Sequence, residues 1–164
     1  MALTIENGSI VAGADSFATA AELVTYAANF GRTIPGTEAA QESLLRRAYL
    51  EMNALPWKGC AVSPNQTGSW PRVGVVRNDF TIASNVIPAQ VKAGQMALAT
   101  EIHADDLAPP ELKVGAIESE KVGPISTTFA VASKTASKPA ATRQSYAQFA
   151  GFVASSSQIK LSRA

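Results

Sequence analysis

Trp57-Lys58-Gly59-Cys60-Ala61-Val62-Ser63-Pro64-Asn65-Gln66, then Trp70-Pro71-Arg72-Val73-Gly74-Val75, then Ile87-Pro88, is the stretch on which the reading of this chain turns. Both tryptophans of the protein lie in it. It reads as a long irregular connection between two helical segments, and such a loop inside a compact domain is usually functional or packed on its own side chains. Trp57 and Trp70 are large enough to form that local core, each indole N–H seeking an acceptor. Pro64, Pro71 and Pro88 fix φ and bias the residue before each toward extended structure. Gly59, Gly68 and Gly74 allow turns that other residues resist. Trp57, Gly59, Pro64, Trp70, Pro71, Arg72, Gly74 and Pro88 are therefore read as the structural set of a tryptophan-pinned loop over residues 56–86. It contains no acid–base pair and no nucleophile.

Helical periodicity flanks the loop on both sides. Asp15 or Ser16 is placed as the cap of a first helix running to about Phe30, with Phe17, Ala20, Ala21, Val24 and Ala27/Ala28 as its inner stripe. Thr37 opens a second helix, whose Leu45, Ala48, Met52 and Leu55 form a buried stripe flanked by Leu44 and Tyr49, and Pro56 ends it. Arg46 and Arg47 lie off that stripe, available to phosphate, to solvent or to ion pairs. Beyond the loop, Ser84 or Asn85 caps a third helix with Pro88 in its first turn. Ile87, Val91, Gly94, Leu98 and Ile102 share one face and the helix stops near His103. A glycine costs about 1 kcal/mol against alanine in a helix interior, so Gly94 implies a close crossing.

Before the first helix, Leu3 and Ile5 suggest a short strand or arm. After the third, the pattern changes. Residues 112–131 alternate loosely and are rich in threonine and branched side chains, which suits a β-hairpin or a pair of extended arms. Residues 133–142 are Ser/Lys/Thr/Ala/Pro-rich and read as a flexible linker. Tyr146, Phe149, Phe152 and Val153 then give a short aromatic helix face, which either packs onto the body or anchors a partner. The expected architecture is mainly α: a small helical bundle over residues 1–111, a β-hairpin-like extension over 112–132, and an extended C-terminal arm over 133–164.

Charge is sparse, at 16% of 164 residues, with a net of +1. Residues 1–111 hold seven Lys/Arg against eleven Asp/Glu, while residues 112–164 hold seven against two. An acidic body with a basic tail suits head-to-tail self-association, an acidic partner, nucleic acid, or no partner beyond solvent. Cys60 and His103 are the only residues of their kinds. Neither a metal cluster nor a thiol catalytic set can be built from them, no phosphate-cradling glycine loop is present, and the Asp105-Asp106 pair stands alone. No enzyme, cofactor or metal is expected. No apolar run reaches membrane-spanning length and no signal peptide is apparent, so no membrane partner is expected.

Trp-Lys-Gly, Val-Ser-Pro, Trp-Pro-Arg-x-Gly-Val and the later Ile-Pro, with Ala14-Asp15-Ser16-Phe17 and Glu120-Lys121-Val122-Gly123-Pro124, resemble a family of small tailed-phage proteins. Its members are often labelled DnaT-like and single-stranded-DNA-binding, and the family is similar to the head–tail adaptor, or neck, proteins. The resemblance covers roughly residues 1–125. It implies a non-enzymatic virion protein at the portal vertex, assembled in the bacterial cytoplasm. Its partners would be the portal, neighbouring subunits of a ring commonly of twelve, a downstream tail or neck component, and genomic DNA passing through the channel without sequence-specific binding. Under that reading Lys138, Arg143, Tyr146, Phe149, Phe152, Ile159 and Leu161 form the interface with the portal or a neighbouring subunit, and a chain lacking residues 139–164 stays folded. The alternative is a single-stranded-DNA-binding, DnaT-like replication accessory protein, resting on the family label and on tryptophans near Lys58 and Arg72.

Overall fold

Thr19-Ala20-Ala21-Glu22 closes the first turn of the first helix. The Glu22 N–H donates to Thr19 Oγ1 at 3.2 Å and the Thr19 N–H donates to Glu22 Oε2 at 2.8 Å, a reciprocal capping box. The helix, α1, spans Ala20–Asn29, so the cap lies later than Asp15 or Ser16. Both of those are engaged elsewhere: Asp15 accepts from the Thr4 N–H and pairs with Arg46, and Ser16 Oγ donates to the Ala18 carbonyl. The shifted start also rotates the inner stripe. Leu23 and Tyr26 turn inward with Ala20 and Ala27, while Ala21, Val24 and Ala28 face out.

In this computed structural model the described residues are 2–107, 119–122, 125–128 and 143–154. They form a small, mostly helical bundle. Helix α2 spans Glu38–Asn53, α3 spans Ala89–Leu107 and α4 spans Gln144–Phe149. Between α2 and α3 lie four two-residue strands, β1 Cys60–Ala61, β2 Arg72–Val73, β3 Val76–Arg77 and β4 Phe80–Thr81. After α3 come β5 Ser119–Val122 and β6 Ile125–Thr128, paired antiparallel from Ser119↔Thr128 to Val122↔Ile125. The expected β-hairpin extension is therefore present. Helix α3 runs one turn past His103 because Asp105 and Asp106 find cations there: Arg143 lies 3.6 Å from Asp105, and Arg47 grips Asp106. The Arg47 hydrogen bond holds the Asp106 carboxyl below its ordinary pKa, which offsets the unfavourable end of the helix dipole.

Gln95 joins the layers. It is fully buried, accepts the Phe17 N–H at 2.8 Å, and donates to Ser16 Oγ at 3.0 Å and to the Leu45 carbonyl at 2.9 Å. One side chain thus ties α3 to α2 and to the segment entering α1. The N-terminal segment is fastened in the same manner: the buried Glu6 carboxylate accepts from the N–H groups of Gly8, Ile10 and Val11, and Ile5 bridges to Ser16.

Over its described part the C-terminal segment holds the expected short aromatic helix, and of the two roles open to it that helix packs onto the body. Helix α4 packs on α3 at Gly94, where an added Cβ would meet Phe149 Cε1 at 2.1 Å. The close crossing that Gly94 implies is made with the ring of Phe149. The chain then returns to the loop: the Lys58 N–H donates to the Phe152 carbonyl at 2.8 Å, the Ala154 N–H donates to the Pro56 carbonyl at 2.7 Å, and Val153 bridges to Trp57. Ser145 anchors the start of α4 through two hydrogen bonds to Glu101.

Tyr49 gives the core a pH dependence. Its ring is buried against Phe17, and burial, with the Glu6 and Asp15 charges nearby, pushes its hydroxyl up to about 12 from 10.0. The folded state holds the neutral phenol more tightly than the unfolded chain does. That stabilisation is complete below pH 10 and is lost as pH rises toward 12. A shift of that size corresponds to about 2–3 kcal/mol. Because the hydroxyl has no hydrogen-bond partner, Tyr49→Phe is expected to raise stability by about 1 kcal/mol at neutral pH and to flatten its decline above pH 10. Urea titrations at pH 7 and pH 11 check both, and a variant less stable than wild type at both pH values would contradict the assignment.

Candidate nucleic-acid interface

The loop after α2 is built around Trp57, whose indole N–H donates to the Met52 carbonyl at 2.7 Å, an oxygen that also accepts from the Leu55 N–H at 3.1 Å, and so ties the loop to the helix end. Trp70 meets Trp57 edge to face at 5.8 Å, Phe149 meets Trp57 at 5.2 Å, and Phe152 meets Trp70 at 5.9 Å, all with interplanar angles near perpendicular. Edge-to-face pairs of this kind add to the burial energy of the rings. Trp57 is 7% exposed and Trp70 0%, so neither offers a face to a ligand. The Trp70 N–H has no acceptor.

Arg72 closes the loop. Its guanidinium donates to the carbonyls of Trp57, Lys58, Gly59 and Ser69 at 2.7–3.3 Å. Burial lowers its pKa from the ordinary arginine value. Beside it β1 and β2 pair through Cys60↔Val73 and Ala61↔Arg72. Gly59, at φ +71°, passes so near the Val73 carbonyl that a Cβ would lie 2.3 Å from its oxygen. Gln66, just after Pro64, accepts from the Val62 and Ser63 N–H groups and donates to the Gly68 and Pro71 carbonyls. Gly74 takes φ +76° in the open turn after β2, and Pro88 is buried and accepts from Val91 and Lys92 at the start of α3. Arg72→Lys retains the charge but not the planar fork that reaches four carbonyls. It is expected to lower stability by about 2 kcal/mol, read as a lower urea midpoint with unchanged slope; a shift below about 0.5 kcal/mol would contradict this role.

The next four strand residues make a hairpin that points outward. β3 and β4 pair through Val76↔Thr81 and Arg77↔Phe80 around Asn78 and Asp79, whose φ values are +49° and +66°. Two successive left-handed residues define the tight hairpin turn that Asn and Asp tolerate. The turn lifts Phe80 into solvent with 78% of its surface exposed. Arg77 lies over the Phe152 ring, 4.6 Å from its centroid. Between the hairpin and the start of α3 runs a groove of about 330 Å³, bordered by Phe80, Ile82, Val86 and Pro88, with Arg77, Asn78 and Gln90 as its polar groups. No carboxylate lines it; Asp79 sits at the turn itself.

The pairing of tryptophans with Lys58 and Arg72 thus does not form a stacking platform: the indoles are inside and the Arg72 donors are consumed by carbonyls. An exposed ring beside a cation, which stacking requires, occurs at Phe80 and Arg77. Among the body's other cations, Arg46 pairs with Asp15 and Glu42, Arg47 with Asp106, and Lys92 with Glu22, so Arg46 and Arg47 serve ion pairs within the chain. Of the residues expected to face the portal or a neighbouring subunit, Phe149 and Phe152 are 3% and 1% exposed and belong to the core. Arg143 pairs with Asp105, and Tyr146 is half exposed. Lys138, Ile159 and Leu161 lie outside the described residues. Among those residues no group of three or more His, Cys, Asp or Glu side chains is placed to hold a metal, and no helix is long and apolar enough to cross a membrane.

A family described as "Putative DnaT-like ssDNA binding protein" matches residues 1–164. No curated protein and no solved structure matches the chain. The match runs to the C-terminus, beyond the roughly 125 residues over which the resemblance was traced. It also overturns the adaptor reading: the family that covers the whole chain is described by single-stranded-DNA binding, not as a virion connector, ring or neck component.

Proposed function

From its membership of the DnaT-like single-stranded-DNA-binding family, to which the chain belongs over its whole length, we propose that it binds single-stranded DNA as a non-enzymatic replication accessory protein. The full-length family match is the observation that carries this reading. Two further observations support it, one from the structure and one from the sequence. Phe80 presents an open aromatic face next to the Arg77 guanidinium, the combination on which unpaired bases stack. The basic C-terminal third of the chain, with seven Lys/Arg against two Asp/Glu in residues 112–164, supplies charge for the phosphates while the body stays acidic. Bases in a duplex have their faces occupied by neighbours, so stacking on Phe80 favours a single strand.

The test is fluorescence anisotropy of a labelled single-stranded oligonucleotide titrated with the full-length protein, with a duplex of the same sequence as competitor. Saturable binding is expected, with the duplex competing at least tenfold more weakly. Binding should weaken with salt, by about 0.7 in log K per unit log salt for each phosphate neutralised. Absence of binding at low salt, or equal affinity for duplex, would remove the reading.

A further inference from the structure

We propose that the groove between the β3–β4 hairpin and the start of α3 is a pocket for one unpaired nucleobase, and that stacking in it favours a purine such as adenine over a pyrimidine. The inference rests on the single-strand-binding reading above and adds to it a location and a preference. The groove has an apolar floor and wall and one aromatic side, Phe80, that is open to solvent. A base entering it stacks on that ring. Its polar lining is one guanidinium, Arg77, and two carboxamides, Asn78 and Gln90. A carboxamide offers one donor and one acceptor side by side and can hydrogen-bond the exposed edge of any unpaired base, so the preference comes from stacking, in which a purine covers more of the ring than a pyrimidine. The Arg77 guanidinium is stacked over Phe152. No carboxylate lines the groove to repel the phosphates of an entering strand. Arg77 is left to hold the adjoining phosphate, a contact that positions without reading sequence.

The hairpin is built to hold this site in place. Asn78 belongs to the tight turn itself, Gln90 is in the first turn of α3, and Phe152 under Arg77 is locked against Trp70. The elements that carry the polar groups are therefore fixed by the same aromatic core that buries both tryptophans.

The experiment measures the affinity of the full-length protein for an all-thymine oligonucleotide and for the same strand with one internal adenine. A third strand carries an abasic site at that position, and a fourth carries 2-aminopurine there. Wild type is expected to bind the adenine strand about threefold or more tighter than the all-thymine strand, to bind the abasic strand no better than the all-thymine one, and to quench 2-aminopurine on stacking. Gln90→Ala should weaken the adenine and all-thymine strands alike and keep the preference, because a carboxamide does not distinguish unpaired bases. Phe80→Ala should weaken the adenine strand most and remove the quenching, with unchanged melting because the ring is exposed. Equal affinity for the adenine and all-thymine strands, or Phe80→Ala binding and quenching as wild type does, would overturn the pocket while leaving single-strand binding in place. If wild type binds no strand, the single-strand-binding reading itself falls and the pocket with it.

Discussion

Removal of residues 143–164 is expected to unfold the protein. The segment looks dispensable in the sequence, a short helix beyond a Ser/Ala/Pro-rich stretch. In the structure it carries Phe149 and Phe152, which are 3% and 1% exposed and form two of the four rings in the edge-to-face series with Trp57 and Trp70. Truncating one buried phenylalanine to alanine costs about 3–5 kcal/mol. Deleting both approaches the whole stability of a domain this size, about 5–15 kcal/mol. The deletion also removes the backbone bonds from Lys58 and Ala154 and leaves the face of α3 around Gly94 open to water. Circular dichroism should show loss of cooperative melting, and tryptophan emission should shift to the red. A truncated chain that melts within a few degrees of wild type would show that this segment is peripheral.

Trp70→Ala is the second large effect. Trp70 is 0% exposed, sits at the centre of the ring series and is the largest fully buried side chain among the described residues. A loss of about 3–5 kcal/mol is expected, seen as a lower urea midpoint and little soluble protein at 37 °C. The two indoles differ in a way that separates packing from hydrogen bonding. Trp57 donates to the Met52 carbonyl, whereas the Trp70 N–H has no partner. Trp57→Phe therefore breaks a buried hydrogen bond as well as trimming a ring, and Trp70→Phe only trims a ring. Trp57→Phe should be the more destabilising of the two by about 1 kcal/mol; the reverse order would mean that ring volume dominates at both positions.

The helices were legible because apolar spacing is a local property. Leu45, Ala48 and Met52 on α2, and Val91, Leu98 and Ile102 on α3, fall where the 3.6-residue period puts them. The start of α1 was misplaced although its signature, Thr19-x-x-Glu22, was in view; Asp15 competes for the cap in sequence and loses it in space to Arg46. The docking of α4 was not legible, since nothing local joins Phe149 to Gly94, and only the unexplained glycine inside α3 hinted that something pressed there.

The candidate site was hidden for a related reason. The tryptophans drew attention as the largest aromatics, yet large aromatics are the residues most worth burying. The Arg72 guanidinium, which reads as a basic contact, is consumed by four carbonyls. Phe80 carries the open face, and its trace in the sequence is Asn78-Asp79 between Val75-Val76 and Phe80-Thr81. Without a glycine that pair is a weak hairpin mark, and its two positive φ values become visible only in the fold.

Photo-cross-linking tests most directly whether a single strand binds this chain at the β3–β4 hairpin. A single-stranded oligonucleotide carrying one photoreactive base is irradiated with the full-length protein, and the adduct is mapped by mass spectrometry after trypsin. The expected result is an adduct on the peptide of residues 78–92, which follows Arg77 and holds Phe80 and Gln90, suppressed by unlabelled single strand and not by duplex. Adducts confined to other peptides, or none at saturating protein, would contradict it.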